Sequence, residues 1–193
     1  MTYPATFTLE PPEQVANWRP IAQWFMAIPH FIVAYVLNIV AAICTLIAWF
    51  AIVFTGRMPK GLADLICLGH RYQGRAVAYA GFLHAEYPPF DFTTSPADPG
   101  GQPVRFDYEP ALEGRNRLTV ALRIFWMIPA YLFFYVIYLI AGVVWFIAFF
   151  AVLFTGRWPA GLLNFATGAI RVATRFGAYA SLLTDEYPPF SMD

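Results

Sequence analysis

The sequence predicts an all-α integral membrane protein made of tandem duplicated helical units. About four long helices are embedded in the membrane or lie at its surface, with short extended segments gathered at one face. Three observations lead there. Of 193 residues, 59% are hydrophobic, 19% aromatic and only 12% charged, far from the balance of a soluble domain. Residues 29–54 and 124–154 contain no charged side chain, and each run exceeds the roughly 20 residues that cross about 30 Å of hydrocarbon. The stretch FTGRMPKG at 54–61 returns one hundred residues later as FTGRWPAG at 154–161. Aligning 28–90 with 128–190 gives 27 identities in 63 ungapped positions. The chain is therefore an internal duplication, with units at 1–93 and 103–193 and a polar Pro/Gly-rich linker at 94–102.

Each unit opens with an extended segment. Residues 4–10 alternate with the period of a strand, and Pro103–Glu109 repeats the pattern at an offset of 99. Trp18, Ile21, Phe25 and Ile28 then follow helical spacing beside the polar Arg19 and Gln23, which predicts an amphipathic helix in the headgroup layer. Pro29 and its mate Pro129 suit the first turn of a new helix or a kink. In the apolar runs that follow, Asn38 reads as a helix-packing hydrogen bond rather than a transport site. Trp49, Phe50, Trp145, Phe149 and Phe150 read as packing or lipid-facing groups.

Gly56 and Gly156 supply the left-handed stop of a helix and Pro59 and Pro159 prevent its continuation, while Arg57 and Arg157 can reach phosphates or the last free carbonyls. A capped interfacial turn is one reading; a specific anionic-lipid or partner site is the other. The next helices carry Arg71 with Arg75 and Arg171 with Arg175, each pair at i and i+4 on one face. An unpaired arginine at mid-bilayer costs from about 3 to 10 kcal/mol, so these helices lie at the interface or pack against polar groups. Each unit closes on EYPPF, at 86–90 and 186–190, where paired prolines forbid helix. Glu86 and Glu186 either meet Arg71, Arg75, Arg171 or Arg175, or remain solvated. Asp64 becomes Asn164 in the second unit, so it cannot be the general counter-ion.

Near-identical motifs on the two faces of a membrane would meet different potentials and lipids, so both copies are expected on one face. That requires an even number of crossings per unit: a long helix down, the FTGR turn, and the arginine-bearing helix back, with a pseudo-twofold axis along the membrane normal. Arg19, Arg105, Arg115, Arg117 and Arg123 then mark the face with the termini and linker as cytoplasmic, in a multi-pass protein of the plasma (inner) membrane. The rival topology has two spans, with the arginine-bearing helices flat. The first ten residues lack the basic and apolar regions of a cleavable signal, and the first apolar helix would serve as its own insertion signal.

Ile28-Pro29-His30 opening an apolar helix, then FTGR-x-P-x-G, R-x3-R and EYPPF, resembles an uncharacterised bacterial membrane family, the domain of unknown function numbered 4389. The resemblance covers nearly the whole chain, twice over. It implies an integral membrane protein and supplies no catalytic residues. Ala130 stands where the first unit has His30, so any role of that histidine belongs to one unit.

No catalytic, cofactor-binding or metal-ligating set is expected. His30, His70 and His84 match Ala130, Ile170 and Thr184 and show no ligand spacing. Ser95, Ser181 and Ser191 lie in no nucleophile-elbow context, and neither apolar run holds an acid. Cys44 and Cys67 predict no disulfide framework. Zero net charge excludes recruitment of nucleic acid by a global field. Two non-enzymatic functions remain: an accessory or scaffold subunit of a larger membrane complex, or a homo-oligomer that binds or moves a lipid or small molecule. The expected partners are membrane lipids and other membrane-protein subunits or itself.

Overall fold

A computed structural model of the chain describes residues 3–12 and 14–193. The elements are β1 (Ala5–Leu9), α1 (Arg19–Thr55), α2 (Lys60–Ala80), β2 (Val104–Tyr108), α3 (Arg117–Ala121), α4 (Arg123–Thr155) and α5 (Ala160–Ala180). Two of them, α1 and α4, are long and apolar enough to cross a membrane. The expectation of four such helices is corrected to two, because the arginines of α2 and the shorter apolar content of both return helices make them inner-layer elements.

The interfacial helix and the apolar helix expected on either side of Pro29 are one continuous α1 of 37 residues, about 55 Å long at 1.5 Å per residue. A proline inside a helix deletes one backbone hydrogen bond, here to the Phe25 carbonyl. Ala27 and His30, both buried, pin the helix on either side of that gap. At its far end Gly56 takes φ 73° and donates to the Ile52 carbonyl at 2.7 Å; Gly156 does the same at φ 67° toward Val152. The threonine of FTGR completes the turn: Thr55 Oγ1 donates to the Ala51 carbonyl and accepts from the Arg57 N–H at 3.2 Å. Thr155 repeats this with Ala151 and Arg157.

After the turn α2 returns antiparallel along α1. A Cβ at Gly69 would stand 3.1 Å from Ala41 Cβ, Asn38 donates to Gln73 at 3.0 Å, and His30 meets the Tyr72 hydroxyl at 2.9 Å. Asn38 is thus a packing residue, as its sequence context predicted. The opposite side of α2, bearing Arg71, Gly74 and Arg75, faces the strands and linker; a Cβ at Gly74 would lie 2.4 Å from the Phe106 ring. The helix ends in a left-handed Phe82 (φ 47°), with Leu83 N–H reaching back to Ala78 at 3.1 Å. Leu182 (φ 65°) closes α5 in the same way.

The two extended segments pair with each other. β1 and β2 form an antiparallel ribbon in which Phe7 faces Phe106, with ring centroids 4.9 Å apart. These phenylalanines are also repeat mates at the offset of 99, so the pseudo-twofold axis passes between them. Its ends are closed by symmetric bonds, Glu10 N–H to Pro103 O and Glu109 N–H to Pro4 O, both 2.8 Å. Alternation puts Ala5, Phe7, Val104, Phe106 and Tyr108 inward and buried, while Thr6, Thr8, Arg105 and Asp107 point outward.

The symmetry axis runs in a direction the sequence did not convey. The turn ending α1 is clasped by the start of the second unit, with Arg115 N–H on the Gly56 carbonyl at 3.3 Å and Met58 N–H on Leu112 at 2.8 Å. The turn ending α4 is clasped by the start of the first, with Val15 N–H on the Gly156 carbonyl at 2.8 Å. Trp24 of α1 stacks on Phe149 of α4 at 4.7 Å, and Trp49 donates to Val120 at the other end. Hence α1 and α4 run antiparallel in one layer, and the two FTGR turns lie at opposite ends of it. The expectation that both turns share one end of upright helices is corrected. The molecule has three layers: α1 with α4, then α2 with α5, then the ribbon and linker.

Candidate functional site

The R-x3-R motif holds the chain that follows EYPPF. Arg71, 1% exposed, donates to the Ser95 carbonyl at 2.6 Å and to the carbonyl of Thr93. Arg75 pairs with Asp91 at 3.0 Å and Asp98 at 2.7 Å. Burial acts to raise the Asp91 carboxyl, but hydrogen bonds from Thr93 and the Arg75 guanidinium outweigh it and hold the group below its ordinary value. In the second unit Arg175 reaches the carbonyls of Ser191 and Asp193. Each motif thus clamps the segment leaving its own unit, the linker in one case and the tail in the other.

The expected partners of these arginines are corrected. Glu86 and Glu186 are exposed and form no ion pair among the described residues. Paired prolines turn both glutamates outward, so the aspartates beyond the motif meet Arg75 instead. Arg171 is half-buried and makes no hydrogen bond or ion pair among the described residues. Asp64 serves Lys60 of its own first turn. Arg57 and Arg157 stand exposed at the two turns beside Phe54 and Phe154, which are 72% and 75% exposed. A cleft of about 500 Å³ opens beside Arg157, lined also by Gln14, Asn17 and Thr155. At the other turn the Arg117 guanidinium covers Gly56.

A second ionic cluster joins the start of unit two to its end. Arg115 grips Asp185 in a fork, 2.9 and 2.7 Å, Asn116 N–H adds a third bond, and Arg123 pairs with the same carboxylate while lying 4.0 Å over the Tyr179 ring. Burial alone would raise Asp185; the bonds and charge of Arg115, with Arg123 beyond, keep its carboxyl low. Unit one has Gln23 and Ala85 at the matching places, and there Gln23 donates to the His84 carbonyl at 2.8 Å. The signal was present as a joint departure from the repeat, Arg123 with Asp185.

The histidines go separate ways: His30 to Tyr72 and against the Phe90 ring at 4.4 Å, His70 to Ser181 at 2.9 Å, and His84 to the Tyr79 ring at 5.7 Å. Among the described residues no group of three or more His, Cys, Asp or Glu gathers. Cys44 and Cys67 are buried and free.

Exposed apolar side chains concentrate on the outer side of the α1 and α4 layer. Apart from Tyr87, Phe90, Phe92 and Phe190, every exposed large apolar side chain among the described residues falls between Trp18 and Phe54 or between Leu118 and Phe154. None belongs to α2, α5 or the ribbon. The charges are distributed the opposite way: of the twelve basic residues only Arg19 and Arg123 lie on α1 or α4, and none of the twelve acidic ones does.

No curated protein and no solved structure matches the chain. The family model that does match is described as Domain of unknown function (DUF4389), and it does so over residues 18–91 and again over 117–192. Each match begins at the entrance to a long apolar helix and ends beyond EYPPF, so the chain belongs to this family and carries its domain twice in tandem.

Proposed function

We propose that this protein is a non-enzymatic integral membrane protein acting as an accessory or scaffold subunit of a larger membrane assembly. One observation carries the reading: all but four of the exposed large apolar side chains among the described residues belong to one layer, and polar clamps hold the layers behind it. A monomer in water rarely exposes more than a few hundred Å² of contiguous apolar surface. Burying each such side chain is worth about 1.5–3 kcal/mol, so lipid contact along two long helices stabilises the embedded state by tens of kcal/mol. The opposite face, with its ribbon, linker and Arg105, is the face for protein partners. By the positive-inside tendency it is cytoplasmic, at the plasma membrane.

The test is purification of the native assembly in a mild detergent. Stoichiometric co-purifying membrane proteins, lost when the outward ribbon residues Thr8 and Arg105 are changed to glutamate, support the scaffold. A solitary oligomer that retains anionic lipid refutes it. The cleft beside Arg157 supports that second function, lipid binding by a homo-oligomer, and Arg157→Ala would then release the lipid.

A further inference from the structure

We infer that α1 and α4 lie flat in a single leaflet, so that the protein is embedded from one side instead of crossing the bilayer several times. The inference rests on the membrane reading above and specifies which part of the membrane is the partner: the acyl and headgroup region of one monolayer.

Length is the first argument. Exposed apolar residues run along α1 from Trp18 to Phe54, 36 steps or about 54 Å of helix. To fit that length within about 30 Å of hydrocarbon, the helix would tilt by about 56°, outside the observed range of roughly 0–40°. Along α4 the run from Ile124 to Phe154 is about 45 Å and demands about 48° on the same arithmetic.

The second argument is the position of the ribbon. Phe106 packs on Gly74, the fifteenth of the 21 residues of α2, and the pseudo-twofold axis that relates α1 to the antiparallel α4 passes between Phe7 and Phe106, so the ribbon lies over the middle of the helical layers. With the helices upright, the outward Arg105 and Asp107 and the Arg75–Asp98 pair would sit near mid-bilayer depth. Each charge there costs about 3 kcal/mol or more. With the helices flat, the ribbon and linker stand in water, with the α2 and α5 layer between them and the lipid.

Symmetry is the third. Because α1 and α4 are antiparallel, upright helices would send one FTGR turn and one EYPPF segment to each side of the membrane. Flat helices set the pseudo-twofold axis along the membrane normal and return both copies of every motif to one depth. Arg57 and Arg157 then meet the phosphates at the rim, and Tyr87, Phe90 and Phe190 fill the interface. An apolar face buried about 5–10 Å deep is the geometry of in-plane helices.

Two measurements on the full chain, with Cys44 and Cys67 replaced by alanine, test this. Lys60→Cys and Ala160→Cys report the two turns by labelling with a membrane-impermeant maleimide in intact cells and in inside-out vesicles. The flat arrangement, with the polar face cytoplasmic, leaves both sites unlabelled in intact cells and labels both to the same extent in inside-out vesicles. Labelling of one site only in cells and the other only in vesicles overturns it. Fluorophores at Phe31→Cys, Ile43→Cys and Phe54→Cys in phosphatidylcholine–phosphatidylglycerol vesicles, quenched by brominated lipids of graded depth, report the helix itself. Equal shallow depths are expected, whereas Ile43 more than about 10 Å deeper than Phe54, as a helix rising 1.5 Å per residue would place it, overturns the flat geometry while leaving membrane insertion intact. A protein that alkaline carbonate strips from the vesicles overturns the membrane reading itself.

Discussion

Replacing Asp98 by alanine removes the anchor of the linker. The Asp98 side chain is fully buried against Arg75, and its oxygens accept from Arg75 Nη2 at 2.7 Å, Gly100 N–H at 2.8 Å and Phe106 N–H at 3.0 Å. The substitution leaves Arg75, whose side chain is 5% exposed, with Asp91 alone. It also strands the Phe106 N–H inside the protein, a loss of about 1–3 kcal/mol by itself. Breaking a buried pair from one side costs about 3–5 kcal/mol. At 1.4 kcal/mol per tenfold, the population with the linker open rises at least about a hundredfold. Cleavage of the linker by a dilute protease follows that population when reclosing is fast, and an engineered cleavage site between Pro99 and Gln102, read by gel in lipid nanodiscs, measures it. Lys60→Ala provides the contrast, because Lys60 is 67% exposed and such pairs are worth under about 1 kcal/mol. If Asp98→Ala cleaves within about fivefold of the parent, a difference of about 1 kcal/mol, the clamp does not hold the linker.

Other outcomes follow from the same packing. Burial lowers the His84 imidazole to about 4 from its usual 6.5, so its contribution to stability is complete above pH 6.5 and disappears as the unfolded chain takes up a proton the folded one refuses. Between pH 6.5 and 4 the unfolding free energy should fall with a slope approaching 1.4 kcal/mol per pH unit for this proton, beside a like share from His70, which burial also lowers to about 4; His84→Gln should remove its own share, and an unchanged slope would reject the assignment. Gly74→Ala drives a methyl into the Phe106 ring and should destabilise by about 1–3 kcal/mol, read as a lower thermal midpoint. Gly142→Ala meets nothing within 4 Å and should be neutral or stabilise α4 by up to about 1 kcal/mol. Equal effects of the two would show that the ribbon does not press on α2.

What could be read from the residues was local and periodic. The apolar runs, the glycine stops, the packing role of Asn38 and the two extended segments all express spacing within a few turns of chain. Pairing of those segments with each other joins residues 95 to 103 apart, and periodicity carries no term for that distance. The repeat likewise fixes that two halves are related by a rotation without giving its axis, so the antiparallel course of α1 and α4 became visible only through Val15, Gly56, Arg115 and Gly156. Asp98 stands in a Pro/Gly-rich linker, where an aspartate is ordinarily solvated. Only the fold of the linker over Arg75 buries it. Asp185 escaped for the opposite reason: a reading built on matching positions passes over residues that break the match.

The ribbon at the pseudo-axis has a further consequence. Its strands meet through the same surface on both sides, Phe7 against Phe106 in a register that reads alike from either end, which is the form of an isologous contact between identical subunits. A chain with one such unit would present to its twin the contact that the two halves here present to each other. Joining them in one polypeptide keeps that contact at fixed stoichiometry and frees mates from being identical. His30 opposite Ala130, Gln23 opposite Arg123 and Ala85 opposite Asp185 are the differences that a symmetric dimer could not have held.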